Sequence, residues 1–201
     1  MRSRLLRSIA AAAAVSASVT LCASDARALR RDADSMKQKI DAINRFGLRP
    51  SRQGRRTTLS ENELNAYLTL ELAPMMPAGV IDPSVAIPGP GRVSAHAVVD
   101  LDAVRRARPG GSLLDPRALL IGQLPITASG TLRAMNGVGR VELESAAIGG
   151  VPIPKVFLQE ILSYYSKTPE RPSGISLDDP FELPARIREI QIDRGQAIVV
   201  Q

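Results

Sequence analysis

His96 is the only imidazole in the 201-residue chain, and Ser94 and Asp100 lie near it in sequence. These are the residue types of a hydrolytic triad, and alternation along an extended segment puts all three on one side. The spacing defeats that chemistry. Asp100 is four residues from His96, roughly 13 Å along a strand, where a triad needs hydrogen-bond contact at about 3 Å. No G-x-S-x-G elbow occurs elsewhere. Carboxylates are paired at Asp100 and Asp102, at Glu61 and Glu63, and at Asp178 and Asp179. Glu61 and Glu63 fall in the first turn of an expected helix, where acids answer the positive end of the dipole. Asp178-Asp179 offers too few oxygen ligands for calcium. One His and one Cys cannot build a Cys/His zinc site, which takes about four ligands. The Gly-Gly pairs at 110–111 and 149–150 lack both the Lys-Ser/Thr of a P-loop and the G-x-G-x-x-G spacing. The expectation is a protein that is not an enzyme, with no catalytic residues, no metal and no cofactor.

The N-terminus carries an address. Arg2, Arg4 and Arg7 form a basic region, Ile9 to Leu21 is uncharged, and Ala26-Arg27-Ala28 supplies a small-x-small cleavage pattern. Thirteen uncharged residues fall short of the roughly 20 a spanning helix needs. Residues 1–28 therefore read as a secretory signal peptide, with export to the periplasm or cell envelope. Cys22 could serve as a lipidation site, but Leu21 stands where such a site wants a small residue. Residues 1–28 hold four Arg and one Asp, so the net charge of +6 falls to +3 once they are removed. The remainder is free of Cys, which suits an oxidising compartment. No nucleic-acid partner is expected.

The elements follow from periodicity. Leu29, Ala33, Met36, Ile40 and Ile43 recur every three or four residues and predict an amphipathic helix over 29–47, with Gly47 as its C-cap. A basic linker covers 48–56. Residues 57–201 then form a single domain. Thr57-Thr58-Leu59 is a short strand, and Ser60 with Glu63 forms a capping box opening a helix with Leu64, Leu68 and Leu72. Pro74 and Pro77 close it. Val85–Ile87 and Arg92–Asp102 pair across Pro88-Gly89-Pro90-Gly91. Val93, Ala95, Ala97, Val99 and Leu101 are expected on one side; Arg92, Ser94, His96, Asp100 and Asp102 on the other. A basic loop over 103–118 contains a short helical turn. Leu119–Met135 and Arg140–Ile148 flank Asn136-Gly137, a strong hairpin signal. Val141, Leu143 and Ser145 are expected to alternate with Arg140, Glu142 and Glu144. A third helix spans about Lys155–Ser166, with Phe157, Leu158, Ile161, Leu162 and Tyr165 on a broad apolar stripe. A final hairpin joins Ile187–Asp193 to Gln196–Gln201 through Arg194-Gly195. The sum is an α+β fold, an antiparallel β-sheet meander packed against two or three α-helices.

Three segments carry a resemblance. Thr58-Leu59-Ser60-Glu61-Asn62-Glu63-Leu64-Asn65-Ala66-Tyr67-Leu68 follows an amphipathic helix, Gly149-Gly150-Val151-Pro152-Ile153-Pro154 precedes an apolar one, and Leu183-Pro184-Ala185-Arg186-Ile187 opens the last hairpin. Over about 57–201 this is similar to exported bacterial envelope proteins related to the LmeA-like and AsmA-like lipid-binding families. The resemblance implies a curved sheet wrapped round a helix, with an apolar groove for acyl chains. On that expectation Val93, Ala95, Ala97 and Val99 line the groove from the sheet, and Phe157, Ile161, Leu162 and Tyr165 from the third helix. The same alternation serves a closed core equally well.

Arg45, Arg49, Arg52, Arg55 and Arg56 follow one another with no acid between Asp41 and Glu61. They are candidates for contact with anionic headgroups of a membrane surface. The expected function is non-enzymatic binding of a lipid or another apolar ligand. The alternative is an assembly or scaffolding module, whose N-terminal stripe (Leu29, Met36, Ile40, Ile43) docks on an envelope protein partner.

Overall fold

The computed structural model describes residues 5–49, 53–107, 122–165, 167, 172–174 and 176–201, with side chains in the first helix from Asp25 onward. No glycine or proline interrupts residues 5–46, so nothing in the chain stops a helix once it has started. Helix α1 accordingly runs unbroken over Leu5–Gly47. The expected amphipathic helix is its C-terminal part, and Ala26-Arg27-Ala28 lies inside it. Among the described residues no helix is long and apolar enough to cross a membrane.

The described strands form one antiparallel sheet: β1 (Arg56–Ser60), β2 (Val80–Gly89), β3 (Arg92–Asp100), β4 (Gln123–Met135), β5 (Val138–Ile148), β6 (Val151–Pro152), β7 (Phe181–Glu182), β8 (Glu189–Asp193) and β9 (Gln196–Val200). Helices α2 (Glu61–Tyr67), which runs on into a π-helical turn at Leu68–Leu72 and a 3₁₀ turn at Ala73–Met75, α3 (Leu101–Ala107) and α4 (Lys155–Tyr165) accompany it. The spatial order is β1-β9-β8-β4-β3-β2, with β5 on the far edge of β4 and the short β6 and β7 on β5. The fold is therefore α+β, a curved antiparallel meander with helices against it. Strand β4 is its spine. One edge takes β5; the other takes β3 as far as Thr131 and then β8 at Ala134. Asn136 and Gly137, both with positive φ, make the tight turn from β4 into β5.

Directly opposed residues project to the same side, so pairing carries sidedness across the sheet. Ala134 faces with Ile190, Ile190 with Val199, and Val199 with Thr57. That side holds the core: Ile43 of α1 packs with Ala134, Leu183, Ile187 and Val199, and Leu59, Ala185 and Ile190 close around them. The opposite side of β4 reads Gln123, Pro125, Thr127, Ser129, Thr131 and Arg133, polar except for the proline.

Two expectations on strand residues are corrected. Strand β3 stops at Asp100, and Leu101 and Asp102 belong to α3. The cause is local: the Asp100 carboxylate accepts from the Ala103 N–H at 2.9 Å and caps the turn that follows. In β5 the expected alternation breaks at Glu144. Ser145 pairs with Ser129 and Leu143 with Gly130, leaving Glu144 as the extra residue of a bulge. Ser145 thus joins Arg140 and Glu142 on the polar side, and Ala146 and Ile148 turn to the apolar side with their partners Ala128 and Ile126. Gly130 permits this approach, since a Cβ there would run into the Glu142 carbonyl.

Gly130→Ala is expected to destabilise the protein by about 1–3 kcal/mol, the usual penalty for overpacking. Gly89→Ala, where a Cβ meets nothing within 4 Å, should stay within about 0.5 kcal/mol. Urea midpoints compare the two; equal losses would contradict the close approach at Gly130.

Candidate functional site

The apolar side of the sheet does not end where its cover ends. From Ala134 back along β4 the same side carries Leu132, Gly130, Ala128, Ile126 and Leu124, and Leu124 and Ile126 are half-buried rather than buried. Register adds Val93, Ala95, Ala97 and Val99 from β3, and Leu143, Ala146 and Ile148 from β5. Val85 of β2 pairs with Ala95 and extends the row to the fourth strand. The expected sheet residues of the groove therefore do share one side. Val93, Ala97 and Val99 are half-buried, and Ala95 is exposed.

The expected helical wall stands differently. Helix α4 meets the sheet chiefly at β5, two strands from β3, with β4 between them. Phe157 is 52% exposed and Val156 72%. The side chains of Ile161, Leu162 and Tyr165 lie outside those described. Polar contacts tie α4 to the loop after it: the Leu177 N–H donates to Gln159 Oε1 at 2.7 Å, and Lys155 pairs with Asp178. Asp178 thus has a structural partner. The residues connecting β3 to β5, namely Leu124, Ile126 and Ala128 of β4, were not among the sequence candidates. Their strict alternation with Gln123, Pro125, Thr127 and Ser129 is the signal that marks them.

What covers the other end is held by one carboxylate. Glu63 is only 8% exposed. It accepts from Lys39 Nζ at 2.6 and 2.7 Å and from Ser35 Oγ at 2.6 Å, both on α1. It also closes the expected capping box, accepting from the Ser60 N–H at 2.9 Å while its own N–H donates to Ser60 Oγ at 3.2 Å. Burial alone would raise its pKa, but the hydrogen bonds from Lys39, Ser35 and Ser60 together outweigh that and lower it to about 2. The stripe offered to a partner in the alternative reading is largely taken up inside the chain, since Ala33, Met36 and Ile43 are buried. Leu29 is 38% exposed.

The edge at β2 is closed by α2. Asn65 donates from Nδ2 to the Val85 carbonyl at 2.8 Å and accepts from the Val85 N–H at 2.7 Å, as a neighbouring strand would. Glu61 accepts from the Ile87 N–H at 2.7 Å. This gives Glu61 a role beyond the helix dipole and lets Pro83 and Pro88 sit in β2, an edge strand.

The basic run separates. Arg45 Nε donates to the Asp41 carbonyl at 3.3 Å, Arg55 stacks 5.9 Å from the Phe46 ring centroid, and Arg56 donates to Gln191. Arg49 lines a cleft with Arg186 and Arg188, two residues that sequence spacing could not connect to it. Arg52 lies outside the described residues. His96 is exposed on the polar side beside Ser84 and Thr127, its register partners. Among the described residues no group of three or more His, Cys, Asp or Glu could hold a metal ion. No protein-family model matches the chain, and no curated protein matches its sequence.

Because the folded Glu63 carboxyl titrates below its unfolded value, its contribution is present above about pH 4.5 and is lost as pH falls toward 2. That contribution is about 3 kcal/mol. Glu63→Gln should cost roughly 3 kcal/mol at pH 7, since it leaves Lys39 without its partner, and should flatten stability between pH 5 and 2. Urea midpoints across that range test it; an unchanged acid limb in the variant would refute it.

Proposed function

We propose that this chain is an exported, non-enzymatic envelope protein that binds a lipid or another apolar ligand along the half-buried apolar side of β3, β4 and β5. The observation that carries this reading is the continuation of the core side of the sheet, through Leu132, Ile126 and Leu124, beyond the reach of α1. An acyl chain suits such a surface because apolar burial is non-directional and contributes about 0.8 kcal/mol per CH₂. Small residues at Ala95, Ala97, Ala128 and Ala146 leave room for a slender chain across the strands. The exposed Phe157 at the start of α4 adds apolar surface beside β5. The signal-like N-terminus and the resemblance of three short segments within 57–201 to lipid-binding envelope families support the same reading. The scaffolding alternative is the weaker one, because Met36 and Ile43 of its docking stripe are already buried within the chain.

Native mass spectrometry of the protein purified without detergent from its own envelope is the direct test. A stoichiometric adduct of lipid mass is expected, recovered by organic extraction. Ile126→Glu places a charge in the middle of the row and should reduce the adduct at least tenfold while leaving the core at Ile43 and Ala134 folded. A clean mass without ligand, with no binding of lipophilic dye, would overturn the proposal.

A further inference from the structure

A second surface lies apart from the apolar side, at the C-terminal end of α1. There a cleft of about 220 Å³ is lined by Phe46, Arg49, Gln53, Gly54, Arg186, Arg188 and Gln201. Among the described residues, three guanidinium side chains and no carboxylate side chain border it. We propose that this cleft binds a phosphate ester, with Arg49 and Arg186 as the principal contacts and Arg188 as a fixed third charge.

The geometry supports each role. Arg188 is held in place by donating to the Gln201 main-chain oxygen at 2.8 Å. Arg49 and Arg186 are exposed, and their side chains have no hydrogen bond or ion pair among the described residues. A planar fork of donors matches tetrahedral phosphate oxygens in a bidentate manner. Arg186 is presented by an unusual backbone: Ala185 and Arg186 have φ of 53° and 55°, consecutive residues in the left-handed region that costs a non-glycine residue free energy. Gly47 lets α1 approach this turn, because a Cβ there would collide with Ala185. The carbonyls of the last helical turn would repel an anion, but several are already engaged. Gln201 Nε2 donates to the Ile43 carbonyl at 2.9 Å, and the Leu48 and Arg49 N–H groups donate to the Asn44 and Phe46 carbonyls.

Gln201 adds selectivity. It is buried, its Nε2 also donates to the Ala185 carbonyl at 2.7 Å, and its Oε1 has no hydrogen-bond partner among the described residues. Oε1 is closed to solvent where it stands, and a shift of the Gln201 amide toward the cleft would let it accept from an ester that also carries a hydroxyl donor. A glycerol phosphate combines both groups, as the headgroup of phosphatidylglycerol or as a free phosphomonoester. The proposal does not rest on a lipid lying along the sheet.

The test uses the full chain with two probes: vesicles of phosphatidylglycerol in phosphatidylcholine, and soluble glycerol phosphate. Arg49→Gln/Arg186→Gln is expected to weaken vesicle partitioning roughly thirtyfold at physiological salt, and Arg49→Gln alone about fivefold. The single variant keeps the strained turn and covers the case in which the double variant fails to fold. Arg140→Gln/Arg194→Gln, with the same charge change away from the cleft, should bind like the parent. Vesicle binding that glycerol phosphate does not displace assigns the site to a membrane headgroup; displacement at comparable phosphate concentration assigns it to a soluble ester. Parent-like binding by the cleft variants, equal losses in the control variant, or no binding of either probe by the parent would overturn the proposal.

Discussion

Glu63 gathers three elements onto one buried charge. It lies in the first turn of α2, closes the cap on Ser60 at the end of β1, and takes Ser35 and Lys39 from α1. A carboxylate removed from water is costly unless its oxygens are answered, and here they are answered only when α1 lies in one position and rotation. That constraint places Met36 and Ile43 against the rest of the chain and orients Ile43 toward Ala134 and Val199. An apolar stripe alone specifies a face but tolerates sliding along the helix axis; the paired charge removes that freedom.

Once α1 is fixed, the extent of the cover is fixed too. The helix serves the β1, β9 and β8 end of the sheet and the last residues of β4. The long hairpins run on beyond it, carrying the same apolar side with them. A filled core would show buried residues along the whole row, whereas Leu124, Ile126, Val93 and Val99 remain half-buried. The β2 edge, in contrast, is sealed by side chains of α2 that imitate a strand. Protection against edge-to-edge pairing is thus provided at that margin, while the described residues of the apolar side beyond α1 are mostly half-buried. This division between a sealed edge and a half-buried side underlies the proposal that the protein binds an apolar ligand.

Charge is distributed with similar economy. The arginines after α1 look interchangeable in the sequence, yet they do different work. Arg55 lies over Phe46 and Arg56 reaches Gln191 across the polar side, so both help to hold the linker against the sheet. Arg49 instead faces two arginines that follow the Leu183-Pro184 segment. Like charges are tolerated there because all three side chains are exposed and water screens them. The resulting concentration of positive charge lies at the close of α1, beside the strained Ala185-Arg186 turn.

Local chemistry was enough for much of this protein. The capping box at Ser60 and Glu63, the Asn136-Gly137 turn, the last hairpin and the α+β class are all legible because each depends on residues within a few positions of one another. The sidedness of β3 and β4 is legible for the same reason, since a strand alternates by covalent geometry. Three features required the tertiary structure. The bulge at Glu144 arises from the missing side chain at Gly130 on another strand, and it reverses the side taken by Ala146 and Ile148. The Lys39–Glu63 pair joins residues 24 positions apart. The cleft brings Arg49 to Arg186 and Arg188 through the packing of Gly47 on Ala185. Each depends on a close approach between segments distant in sequence. Alternation and helical periodicity encode which side of an element is apolar, but not which neighbour meets it or where that cover stops.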